Sequence, residues 1–180
     1  PGFEPKLADR AKGHSMLAPD TSPEAVLAFW FPEPAQPEAA AHLALWTWRM
    51  RGGAHQAVVE NFSDLTALAA SGGLDHWAAT ALGRLALIIV LDQFSRSVWA
   101  GTARAYAQDA KALELCLVGL GNGDFDRLEN VWQKAMFKMP LEHCEGPDHL
   151  ANLDRAVAIA TDLAEEAPVD LRDLYRAADK

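Results

Sequence analysis

Apolar residues recur along the chain at helical spacing. Val58, Phe62, Leu65 and Leu68 follow one another at intervals of four, three and three residues, which places them on one face of an α-helix. A pair of glycines follows this run, and glycine is the residue most often found just past the end of a helix. The pattern therefore predicts an amphipathic helix over residues 54–71.

A second segment, residues 81–94, is apolar on all sides rather than on one stripe. A helix with this pattern is typical of an element surrounded by others, so we expect it to be the central helix of the fold. Its most apolar run, from Leu85 to Leu91, is far shorter than the ~20 residues that a membrane-spanning helix requires. The sequence therefore predicts no membrane span.

Capping and terminating residues predict the remaining helices. Thr21 and Glu24 fit a capping box, and Pro23 suits the first turn of a helix. Three prolines within residues 32–37 interrupt that helix, and Gly52 with Gly53 ends the next one. Further helices are expected at about residues 38–51, 102–120, 128–139 and 147–167, with a short one within 169–180. Seven or eight helices joined by short turns indicate stacked antiparallel helical hairpins, although no fixed-period repeat is present.

Composition supports the same fold class. Alanine and leucine far outnumber valine, isoleucine and threonine, and this balance favours helices over strands. We therefore predict an all-α protein whose single domain covers residues 16–180, a size sufficient for one hydrophobic core. Residues 1–15 lack helical periodicity and an initiator methionine, so we interpret them as a disordered extension or a vector-derived remnant.

The charge balance restricts the partners that we expect. The net charge of -9 argues against nucleic acid or an anionic membrane surface as a partner, because both require a surplus of Lys and Arg. Only two cysteines, Cys116 and Cys144, are present, and no basic stretch followed by an apolar run marks a secretory signal. We therefore predict a cytoplasmic protein.

A first group of polar residues follows the apolar central helix. Asp92 and Arg96 are four residues apart and share one helix face, with Gln93 between them and Arg84 on nearly the same stripe. One interpretation is a structural ion-pair network that holds the next loop. The other is a pocket for an anionic or polar ligand, built on Gln93, Arg96 and Arg104.

A second group lies at residues 139–145, where Glu142 and His143 offer the side-chain types used in acid/base catalysis. Helical metal motifs place their ligands one turn apart, and this segment lacks that spacing, so we predict no metal site. A hydrogen bond from His143 to a carboxylate or the backbone is the simpler interpretation. Cys144 neighbours His143, but sequence neighbours diverge on a helix, so we assign it no nucleophilic role. Phosphate-binding glycine loops and redox Cys-x-x-Cys pairs are absent from the sequence, so we predict no cofactor.

Four motifs carry a resemblance to a known family. They are VLAFWF at residues 26–31, GRLALIIVLDQFSR at 83–96, GTARAYAQD at 101–109 and MPLEH at 139–143. In this order, they resemble the bacterial domain-of-unknown-function 924 family over nearly all of residues 16–167. The resemblance implies an all-α fold of the tetratricopeptide-like superhelix type, and it implies no activity.

The chain departs from that family's pattern around the polar residues. Family members usually have Pro, Asn, Arg, Pro and Ser where this chain has Ser95, Ser97, Ala100, Ala103 and Cys144. These replacements remove one positive charge from the loop, so an anion site shared by the family would bind more weakly, or bind something else, in this chain. The candidate residues that remain are Asp92, Gln93, Arg96, Glu142 and His143.

Two functions of different classes follow from these residues. The first is a helical domain that binds a protein partner or a small polar or anionic ligand in its superhelical groove, using Asp92, Gln93, Arg96, Arg104, Glu142 and His143. The alternative is a hydrolase-type enzyme in which Glu142 or His143 acts as acid/base and Arg96 stabilises developing negative charge. A third possibility is an assembly protein that forms a homo-oligomer.

Overall fold

The structure, a computed structural model, describes residues 22–32 and 39–172, and this part of the chain is all-α, with no β-strand. Its α-helices are α1 (Pro23–Trp30), α2 (Ala39–Met50), α3 (His55–Ala70), α4 (Ala81–Ile88), α5 (Ser95–Val98), α6 (Asp109–Gly121), α7 (Val131–Lys138), α8 (Pro140–His143) and α9 (His149–Glu166). Shorter 3-10 turns occur at Asp75–Ala79, Ala103–Tyr106 and Val169–Leu171, and a π-helical turn at Ile89–Phe94. The predicted extension at residues 1–15 lies outside the described residues.

Side-chain caps and left-handed glycines set the helix boundaries. The Ser22 hydroxyl accepts a hydrogen bond from the Ala25 amide at 3.2 Å and caps α1, with Pro23 in the first turn as predicted. The cap is therefore one residue later than the capping-box pattern indicates, and Thr21 lies outside the described residues. Gly72 has φ +89°, a conformation that glycine adopts without a Cβ penalty, and it ends α3 as predicted.

The central helix is confirmed. Helix α4, the π-helical turn and α5 run without a break over residues 81–98, and each side chain from Leu85 to Leu91 is at most 1% exposed. Helices α1, α3, α6 and α7 all pack against this segment. An element enclosed in this way needs apolar residues on every side, which explains the pattern seen in its sequence.

An aromatic cluster joins α1 and α3 to the π-helical turn. The ring centroids of Phe29 and Phe62 are 4.9 Å apart, and Phe94 lies 4.8 Å from Phe62 and 5.9 Å from Phe29. Trp30 packs on the same Phe94 ring at 5.7 Å. These contacts fix the carboxyl end of the central helix, where the polar residues begin.

The carboxyl-terminal helices cover the other side of that segment. Trp132 of α7 is buried with Leu163 and Ala164 of α9 in a second apolar cluster. The short helix α8 packs against both α6 and α9. This packing carries the end of α8 to the π-helical turn, although the two are far apart in sequence.

One sequence expectation about these helices is wrong. Residues 102–108 hold a 3-10 turn rather than the start of α6, which begins at Asp109. On α9, the large apolar residues Leu150 and Val157 are 76% and 46% exposed. The buried stripe instead consists of Ala156, Ala160, Leu163 and Ala164. The core face of α9 is therefore mostly alanine, and Leu150 and Val157 lie outside it.

No helix in the described ranges is both long enough and apolar enough to cross a bilayer. The tetratricopeptide-like arrangement of the helices stays a prediction.

Candidate functional site

Asp92 is the centre of the polar site. It lies in the π-helical turn, is 0% exposed, and accepts hydrogen bonds from three side chains. The Gln93 amide nitrogen is 2.6 Å from Oδ2, His143 Nδ1 is 2.8 Å from the same oxygen, and Arg96 Nη2 is 3.5 Å from Oδ1. A buried carboxylate needs such donors, because an unpaired buried charge is costly. π-Helical turns within α-helices frequently occur at functional sites.

His143 reaches Asp92 from the end of α8, across 51 residues of sequence. A carboxylate can only accept, so the contact with Asp92 places a hydrogen on Nδ1 and leaves Nε2 with a lone pair in the neutral ring. The His143 side chain is 25% exposed, so solvent or a ligand can approach it. The hydrogen bond to a carboxylate that the sequence suggested for His143 is thus present.

Arg96 connects Asp92 to a second carboxylate. Its Nη2 lies 3.2 Å from Asp109 Oδ2, and its guanidinium stands 5.0 Å from the centre of the Tyr106 ring. Burial raises the pKa of Asp109, against the opposite influence of the Arg96 guanidinium. With 25% of its side chain exposed, Arg96 also faces the exterior of this network.

Glu142 precedes His143 on α8 and forms an ion pair with Lys138 of α7. The Lys138 side chain is only 3% exposed and that of Glu142 is 16% exposed. A buried ammonium group requires a nearby anion, so Glu142 serves to neutralise the buried charge of Lys138.

Gln93 and Arg96 also line a cavity of about 230 Å³. It lies between α1, α2, α3, α5 and α7. Its wall combines cationic, polar and apolar side chains, and is formed by Trp30, Trp46, Arg49, Gly52, Ala54, His55, Val58, Gln93, Arg96, Ser97, Met136 and Met139. None of these lining residues is acidic. Neither His143 nor Glu142 lines the cavity, whereas Gln93 and Arg96 both line it and contact the buried Asp92.

Residues 26–179 match the family described as "Bacterial protein of unknown function (DUF924)". The chain belongs to the DUF924 family. A solved structure of a protein of unknown function from Agrobacterium tumefaciens has a similar fold, with a TM-score of 0.56 and 24% sequence identity. The alignment covers 96% of this chain and 81% of that one. No curated protein sequence matches the chain.

Two arginines that the sequence associated with the site of this DUF924 protein lie elsewhere. Arg84 Nε donates a hydrogen bond to Asp124 Oδ2 at 2.8 Å. Arg84 is therefore paired with Asp124, although it lies on nearly the same face of the central helix as Asp92. Burial tends to raise the pKa of Asp124, but hydrogen bonds from Arg84 and from Asn122 and Arg127 outweigh burial and leave that pKa lowered. The exposed Arg104 stacks its guanidinium 4.1 Å from the Trp99 ring centre.

The cysteine next to His143 is not activated in this DUF924 protein. Burial raises the pKa of the Cys144 thiol, and the charges of Asp109 and Asp92 raise it further. A thiolate, the nucleophilic form, is therefore disfavoured. Burial also raises the pKa of Cys116, to about 12.

Some residues of the site were missed by sequence reasoning. Asp109 closes the 101–109 motif, so its place in that motif was a usable signal. Arg49, His55 and Trp46 belong to helices with no motif, and only the packing of α2 and α3 against the central helix assembles them into one wall. No cluster of three or more metal-ligand side chains occurs in the part of the chain that the structure describes.

Proposed function

We propose that this DUF924 protein binds a small polar or anionic ligand in the cavity lined by Gln93 and Arg96. The observation that carries the proposal is the composition of the wall. In a chain of net charge -9, the lining holds Arg49 and Arg96 and no acidic residue. A cationic, partly apolar cavity with a few polar groups is typical of small-molecule sites.

The buried Asp92 carboxylate prepares this wall for a ligand. It holds the Gln93 amide nitrogen and so fixes the orientation of the Gln93 side chain in the wall. It also holds Arg96 through Nη2 alone, and a guanidinium has five N–H donors. Side chains fixed before binding lose little entropy when the ligand arrives, which favours affinity.

A small molecule fits the cavity better than a protein segment. The volume of about 230 Å³ is below the ~300–1,000 Å³ of pockets for drug-sized ligands. A stable protein interface instead buries about 800 Å² on each partner. We therefore favour the small ligand over the protein partner.

A thermal-shift screen against a panel of small anions, neutral polar metabolites and cations tests the proposal. A ligand at 100 times its Kd adds about 2.7 kcal/mol to the free energy of unfolding, which is about 5–10 °C in Tm for a chain of this size. We expect at least one anion to give such a shift in the wild type and in Arg104→Ala, but not in Arg96→Ala. Arg104 is the matched control because it lies outside the cavity wall. No shift with any compound, or an equal shift in both variants, would contradict the proposal.

The second candidate function is acid/base catalysis by His143. The observation that favours it is the contact between His143 Nδ1 and Asp92 at 2.8 Å, since a carboxylate bound to one ring nitrogen orients an imidazole for proton transfer at the other. Glu142 is held by Lys138, so the acid/base role would fall on His143, with Arg96 stabilising negative charge. The cavity does not include His143, and for this reason we rank catalysis second.

Turnover measurements separate the two functions. Catalysis requires hydrolysis of at least one member of an ester, amide and phosphate panel, lost in His143→Ala and retained in Glu142→Gln. Ligand binding in the cavity without any turnover would leave binding as the function.

Location and assembly stay predictions of the same kind. Both cysteines are free thiols, which agrees with the reducing compartment that the sequence suggests. Light scattering at several protein concentrations tests for the homo-oligomer.

A further inference from the structure

We propose that the ligand of the cavity is a small monocarboxylate with an apolar body, its carboxylate on Arg96 and Arg49 and its body against Trp46, Met136 and Met139. This inference rests on the proposed function and names the chemical class of its ligand. Four features of the cavity wall support it.

The first feature is the position of the cationic groups. Arg96 and Arg49 approach the cavity from different elements, α5 and α2. The Arg49 guanidinium also donates to the Trp30 carbonyl oxygen and lies 5.1 Å from the centre of the Trp30 ring. A planar guanidinium held in place is well suited to the two oxygens of a carboxylate.

The second feature is a buried donor. Trp30 lines the cavity and is 6% exposed, and its indole N–H has no hydrogen-bond partner among the described residues. A buried N–H is almost always bonded in native structures, because leaving it unpaired is costly. A carboxylate oxygen that enters beside Trp30 would supply the missing acceptor.

The third feature is the apolar part of the wall. Trp46, Val58, Met136 and Met139 supply aromatic and thioether surface next to the arginines. Methionine adapts to irregular ligand shapes, and aromatic rings contribute large apolar contact areas. A small ion such as phosphate or acetate would leave most of this surface without a contact.

The fourth feature is the local charge, which favours a single negative charge on the ligand. The positive charge of Arg96 is already partly offset by Asp92 and Asp109, both of which contact it. A dianion such as a phosphate monoester would leave the region with surplus negative charge. A monocarboxylate adds less negative charge. The partly exposed Arg96 can donate hydrogen bonds to it as well as to Asp92 and Asp109.

Four probes test the inference. Benzoate is the reference, and each of the other three differs from it in one property. Benzoate has the charge and the apolar body, benzamide lacks the charge, acetate lacks the body, and phenyl phosphate carries the larger charge. Binding is followed by NMR through the indole N–H signal of Trp30, which is identified as the signal missing in Trp30→Phe. We expect benzoate to shift this signal saturably and to bind at least about tenfold more tightly than any other probe.

Variants assign the contacts. Arg96→Lys keeps the positive charge but loses the planar fork, and we expect it to bind benzoate about tenfold more weakly and to remain folded. Trp30→Phe removes the donor together with part of the ring and is expected to weaken benzoate binding several-fold, measured by calorimetry. Arg104→Lys is the matched control and should bind like the wild type.

Each other outcome overturns the inference. Equal binding of benzamide and benzoate would show that the cavity does not select for a charged ligand. Tighter binding of phenyl phosphate would show that the cavity prefers a dianion. No binding of any probe would also refute the monocarboxylate. In that case, the broader thermal-shift panel decides separately whether the cavity binds another ligand, so the proposed function can survive the failure of this inference.

Discussion

The Asp92→Asn substitution is the most direct test of whether Asp92 organises the polar site. Asparagine has nearly the same shape as aspartate, so the change removes the charge and replaces one acceptor oxygen with an N–H donor. Asp92 is 0% exposed and meets Arg96 and His143, each 25% exposed. Removing one partner of a buried ion pair costs about 3–5 kcal/mol. Because Arg96 is partly solvated and keeps Asp109, we expect the lower end, about 3 kcal/mol.

Urea unfolding measures this loss directly. A loss of about 3 kcal/mol corresponds to a fall of about 6–12 °C in Tm, and the midpoint of urea unfolding should fall while the slope m stays constant. Asp75→Asn is the matched control, because Asp75 forms an ion pair with Lys111 at 2.5 Å but its side chain is 58% exposed. That pair should contribute less than about 1 kcal/mol. If Asp92→Asn costs no more than the control, Asp92 does not organise the site as described.

Three further predictions concern packing, pH and thiol chemistry. Gly119→Ala should lower the free energy of unfolding by about 1–3 kcal/mol, since the added Cβ would lie 2.3 Å from a ring atom of Phe137. Gly121→Ala on the same helix is the control, because its Cβ would meet nothing within 4 Å and should not destabilise the protein. Asp124 has a pKa below its ordinary 3.8, so its stabilisation is present above that pH and is lost as the pH falls through the lowered folded-state value. The deficit of Asp124→Asn in the free energy of unfolding should therefore shrink from pH 7 to acid. Alkylation of Cys144 should be slow at neutral pH and should accelerate in Asp109→Asn, because the Asp109 charge raises the thiol pKa.

Each of these has a result that would contradict it. Equal stability of the two alanine variants in urea would remove the packing argument for α6. A deficit for Asp124→Asn that grows toward low pH would reverse the sign of the linkage. Alkylation is measured in the Cys116→Ser background, so that one thiol reports, and an unchanged rate in Asp109→Asn would place that carboxylate too far away to act.

Much of the architecture could be predicted from the order of residues alone. The all-apolar pattern of 81–94 predicted a surrounded central helix, and its Leu85–Leu91 run is buried. The spacing of Asp92 and Arg96 predicted their approach, which the structure shows at 3.5 Å. These predictions succeed because helical periodicity and contacts between residues four apart are properties of one element, and neighbouring residues determine them.

Other features depend on how the elements pack. His143 meets Asp92 across 51 residues, and Arg49 joins Arg96 on one wall only because α2 and the central segment border the same cavity. On α9, the face with alanines is buried while Leu150 is 76% exposed, so residue size did not reveal the core face. Local patterns specify which residues share a helix face. The partner of each face follows from the packing of the whole chain, because contacts distant in sequence form only when several helices are placed together.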